Sequence, residues 1–145
     1  MALARRDELA SLVEPVRRRL DAANAARETG LAAARRTIQS CSQSIRATHR
    51  LEWDQAEQLA DTARDSLRQA QEALKPFPQL AASGPLHDAA KEYAEARLTE
   101  ALVTGKPCTA LCGKTWVPSR DPKRYPVCPT CKEIAAGMGW QVPSS

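Results

Sequence analysis

Residues 31–50 read LAAARRTIQSCSQSIRATHR. Leu31, Ile38 and Ile45 stand seven apart, with Ala34, Cys41 and Thr48 between them. That spacing is the a/d seam of a helix that packs along one face. The stretch that follows repeats it: Ala60, Leu67 and Leu74 alternate with Ala56, Ala63 and Ala70. Small residues on both seams let the helix axes approach closely.

Upstream, Leu9, Leu12, Val13, Val16 and Leu20 recur at helical spacing with Pro15 among them. Pro15 predicts a helix start or a kink, and Gly30 a weak break. Downstream, KPFPQLAASGP (residues 75–85) ends the second helical pattern, because two prolines cannot continue a helix. A further helix is predicted from about Leu86 to Thr104, with Gly105 just past its end and Pro107 as the stop. Residues 1–104 therefore read as an all-α bundle of antiparallel helices. Residues 105–140 read as a small zinc-knuckle module, and 141–145 as a disordered tail.

Bulk properties narrow the setting. The chain has 145 residues, 43% apolar and 26% charged, with aromatics at 4%. No apolar run reaches the length of a membrane span, and the N-terminus lacks the long apolar segment of a signal peptide, so a cytoplasmic location is expected. The net charge of +4 is unevenly placed. Residues 1–100 hold 15 basic and 15 acidic side chains, whereas residues 101–145 hold 6 basic and 2 acidic. Within the helices, residues 17–50 carry eight Arg against two acids, and residues 52–72 six acids against two Arg. A basic surface beside an acidic one suits a phosphate-rich partner or the pairing of subunits. Arg35, Arg36, Arg46 and Arg50 are the expected phosphate contacts.

Four of the five cysteines fall within 24 residues, which in a cytosolic chain points to metal rather than disulfides. Cys128-Pro-Thr-Cys131 has the C-x-x-C spacing that wraps a tight turn around one zinc ion. Cys112, followed by Gly113 and Lys114, supplies the facing half across fifteen residues. The segment's apolar content (Trp116, Trp140, Val117, Val127 and Ile134) is too small for a self-sufficient core, a deficit that a structural metal resolves. The expected fourth ligand is Cys108, with His87 as the alternative. In a straight strand Cys108 and Cys112 would stand roughly 13 Å apart, so Cys108 requires a turn. Cys41, on the helical seam, reads as a small core residue.

Two stretches resemble known families. RRTIQSCSQSIRATHR (residues 35–50) and HDAAKEYAEA (residues 87–96), separated by an acidic helix and a Pro-containing loop, resemble the translin superfamily over residues 30–104. That resemblance implies an all-α fold assembled into closed multimers, with single-stranded RNA or DNA bound on a basic inner surface. In the translin-associated subunit the paired Glu of an E-Y-x-E motif belong to a metal-dependent endoribonuclease site. The matching positions here are Glu92 and Glu95, three apart on one helix face, with Mg or Mn as the implied ion. A further acidic ligand of that family falls where this chain carries its cysteines. The second stretch, GKPCTALCGKTWVPSRDPKRYPVCPTCKEIAAGM (residues 105–138), resembles a small bacterial zinc-binding family of unknown function. In that family valine usually stands at the position of Cys108 and an upstream His is present, which keeps His87 open.

The reading that follows is an oligomeric protein that binds single-stranded RNA or DNA and carries a structural zinc module. The alternatives are an endoribonuclease using Glu92 and Glu95, and a protein-interaction adaptor.

Overall fold

The computed structural model describes residues 2–139 except 83, 120, 122 and 123, and side chains from residue 5 onward. The tail 141–145 and Trp140 lie outside the described residues. The architecture is mostly helical. Helix α1 spans Ala2–His49, α2 Trp53–Leu74, a single turn α3 Pro78–Ala81, and α4 Gly84–Thr104. A two-stranded antiparallel hairpin follows, β1 (Cys108–Thr109) with β2 (Thr115–Trp116), and then a short helix α5 (Pro129–Gly137). No described helix is long and apolar enough to cross a membrane.

Neither a helix start at Pro15 nor a break at Gly30 occurs: α1 runs unbroken for 48 residues. Pro15 removes one backbone donor, but the turn before it is solvent-exposed, so water reaches the carbonyl left unpaired. Gly30 stays helical because the close approach of α2 requires it. A Cβ there would lie 2.8 Å from the Leu74 side chain.

The two seams read from sequence face each other. Ala34, Cys41 and Thr48 on α1 are buried, as are Ala56, Ala60, Ala63, Leu67, Ala70 and Leu74 on α2. Helix α4 closes the third side: Ala89 packs with Ala34 and Leu67, and Ala96 with Cys41 and Ala63. Tyr93, Ile38 and Ile45 pack around these clusters from the half-buried margin. Hydroxyls in the seam bond to backbone. Ser44 Oγ donates across to the Ala56 carbonyl at 2.8 Å, and Thr37 Oγ1 donates to the Ala33 carbonyl at 3.0 Å. No buried side-chain N or O among the described residues lacks a partner.

The turn from α1 to α2 is held by Glu52 N–H to the Ala47 carbonyl (3.0 Å), with Leu51 at φ 62. Beyond α4, Gly105 takes φ +72 and donates to the Ala101 carbonyl. The carboxylate of Glu100, a residue only 6% exposed, receives Arg97 Nη1 at 2.7 Å and Lys106 Nζ at 2.9 Å. That contact ties the segment leading to the cysteines back to α4.

Because Ala63 is fully buried between α1 and α4, Ala63→Leu should lower unfolding stability by about 1–3 kcal/mol through overpacking. Urea titration followed by circular dichroism checks this.

Candidate metal centre

The hairpin presents Cys112 at its tip. Ala110 N–H donates to the Lys114 carbonyl and Gly113 N–H to the Ala110 carbonyl, both at 2.9 Å. Gly113 turns the chain with φ +81, a conformation that side-chain-bearing residues rarely take. Thr109 and Thr115, paired in register, bring their hydroxyls to 3.3 Å and brace the strands below. On the facing side Cys128 caps α5, with Pro129 in its first turn, where a fixed φ is pre-set for helix and no donor is needed. The Lys132 N–H donates to the Cys128 carbonyl at 3.0 Å, which curls Cys131 back beside Cys128.

The sulfurs of Cys112, Cys128 and Cys131 lie within 4.8 Å of one another. Tetrahedral zinc with Zn–S bonds of ~2.3 Å needs sulfurs about 3.8 Å apart. The three thiols therefore fit a metal ion such as zinc with small side-chain movement.

The electrostatics differ among the thiols. The Cys128 thiol is held below its ordinary value of 9.0, first by the Cys131 backbone N–H and then by bonds from the Cys131 thiol, the Thr130 backbone and the Cys112 thiol. The Cys131 thiol is raised. A Cys112 backbone N–H pulls it down, but its neighbours' sulfurs and local burial outweigh that bond. Three thiols crowded together cannot all ionise without a cation among them.

Neither candidate for the fourth corner joins this group. The turn that Cys108 requires is present, but it begins at Ala110. Cys108 therefore stays in β1, opposite Trp116, outside the sulfur group. His87 is exposed near the start of α4 and is also outside it. Cys41 is a core residue as read: burial, and then the nearby Glu92 carboxylate, push its thiol up to about 11.

The remaining residues singled out in the sequence are dispersed. Glu92 is half-buried. Glu95 is exposed and paired with Lys91 at 3.5 Å. Neither belongs to any group of three metal-ready side chains among the described residues. Arg36 Nη2 donates to Gln69 at 2.6 Å, and Arg50 forms a two-pronged pair with Glu52 at 2.8 and 3.0 Å. Arg35 and Arg46 are exposed on α1.

A family model described as a protein of unknown function (DUF3039) matches residues 87–138, from near the start of α4 through α5. The match is compatible with the small C-terminal module. The translin resemblance is overturned, since no translin family matches any part of the chain. Its two motifs lie on alanine-rich helices, where the spacing of small residues alone reproduces such likenesses. No curated protein and no solved structure matches the chain.

Replacing Cys112, Cys128 or Cys131 singly by Ser should remove bound metal, whereas Cys108→Ser should retain about one ion per chain. Elemental analysis of protein purified without chelator separates these outcomes. Circular dichroism should show the α1–α2–α4 helices intact in all four variants, because their seam shares no residue with the thiol group.

Proposed function

We propose that the chain binds single-stranded nucleic acid through its C-terminal module, with one structural zinc ion holding that module in shape and the helices serving as its scaffold. The observation that carries this reading is the exposure of aromatic side chains beside basic ones. Trp116 is 45% exposed and Tyr125 50%. Lys114, Arg124 and Lys132 are exposed on the same module. In a metal-stapled unit of this size, large aromatics would ordinarily be the first side chains to be buried. Aromatic faces among cations are what a flexible, unpaired strand uses: bases stack on the rings and phosphates meet the charges.

The helical arginines support the reading less. Two of the four carry protein partners, and the acids of α2 lie close by in sequence. The endoribonuclease alternative needs Glu92 and Glu95 to share Mg or Mn, and the Lys91–Glu95 pair competes with that use.

Anisotropy of a labelled single-stranded RNA at low salt tests the proposal. Trp116→Ala and Tyr125→Ala should each weaken binding roughly tenfold, at unchanged metal content. Affinity should fall steeply with added salt, and chelation of the metal should abolish binding. No binding at low salt, or full affinity in both variants, overturns the proposal. Cleavage that depends on Mg or Mn and is lost in Glu92→Gln/Glu95→Gln would favour the nuclease reading.

A further inference from the structure

From Arg5 to Glu28 helix α1 is almost wholly exposed. Its apolar side chains lie on one face: Leu9, Val13, Val16 and Leu20 are spaced four, three and four, and Leu12 flanks them. They are 57–66% exposed. The same rhythm continues through Ala23 and Arg27 into Gly30, Ala34, Thr37, Cys41, Ser44 and Thr48, and from Gly30 onward each of these residues is buried against α2 and α4. One seam therefore runs the length of α1. Its second half is covered within the chain and its first half is not.

We propose that a second copy of this chain covers the arm, the two arms pairing antiparallel about a twofold axis between residues 14 and 15. Two observations commit the face to that occupant. The spacing four-three-four reads the same in both directions, so the antiparallel copy sets Leu9 against the second chain's Leu20, and Val13 against its Val16. Finally, the five apolar side chains expose on the order of 500 Å² per chain, and two copies face to face bury about 1,000 Å², the lower bound for a specific interface. Between residues 9 and 20 the seam itself carries no charge. Pro15 lies away from the seam, and Glu14 already holds Arg17 and Arg18, both at 2.9 Å.

Light scattering on the full chain, in its metal-bound form, tests this. At 100 µM the parent should show twice the 15.8 kDa chain mass, and Val13→Glu/Val16→Glu should show a single chain mass. Because both valines are exposed in the isolated chain, helicity and metal content should not change in the variant. Amide exchange across residues 9–20 should slow as parent concentration rises. Pyrene attached at the N-terminus should give no excimer, since the antiparallel axis holds the two N-termini about 40 Å apart. A single-chain mass for the parent at 100 µM leaves the face to some other partner and overturns the proposal. So does a mass above two chains, an unchanged mass in the double variant, or an excimer signal.

Discussion

Between α1 and α2 the side chains are mostly no larger than threonine or cysteine. Thr37, Cys41 and Thr48 are the largest fully buried ones. Close packing of this kind draws its stability from many short van der Waals contacts rather than from a few large apolar groups. It also brings backbone carbonyls of one helix within reach of hydroxyls on the other, as Ser44 to Ala56 shows. The requirement propagates outward. Gly30 is needed because Leu74 occupies the space of its Cβ. The third helix must likewise present alanines, Ala89 and Ala96, where it meets the other two.

The C-terminal module obeys the opposite rule. Leu111, Val117, Val127 and Met138 are all more than 40% exposed there, and Ala135 is the one buried apolar side chain of α5. Such a segment gains too little from burial to offset the entropy of ordering its loops. A metal held by the three thiols would supply the deficit, because most of the binding free energy of a structural zinc becomes folding free energy. Acid acts against it, since protons compete with the metal for the sulfurs.

Much of this was legible in the sequence, for physical reasons. Heptad spacing reports which face a helix buries, so the pairing of 31–48 with 56–74 followed from Leu31, Ile38 and Ile45 and their counterparts. The C-x-x-C spacing reports a local turn, so Cys128 and Cys131 were legible together, and Cys112 through the Gly113 that follows it. The breaks were not legible. Whether Pro15 or Gly30 interrupts a helix depends on solvent at one and on Leu74 at the other, and neither is local information. Nor was the position of Cys108. A hairpin turn beginning at Ala110 rather than Cys108 shifts a sulfur out of the group, and turn onset within two residues is below what composition encodes. The translin likeness misled for a related reason: seams of alanine at heptad spacing constrain geometry but not ancestry.

The two parts of the chain meet at Glu100. A carboxylate this buried would be destabilising alone, and Arg97 and Lys106 together compensate it. The partners are not equivalent. Arg97 lies on α4 itself, one turn back, and orders nothing beyond the helix. Lys106 lies past Gly105, where the backbone has already left the helix, and two residues before β1. Its ammonium is held above the ordinary 10.5, chiefly by its hydrogen bond to Glu100. The Thr104 hydroxyl shares the task. It donates to the Glu100 carbonyl at 2.7 Å and accepts the Lys106 N–H at 3.3 Å. The exit of the chain from α4 is therefore fixed by a carboxylate and a hydroxyl, while the interior of the module gathers three thiols that fit a metal ion. The two devices share no residue. The three thiols can take a metal inside the module, and Glu100 fixes how the chain leaves the helices.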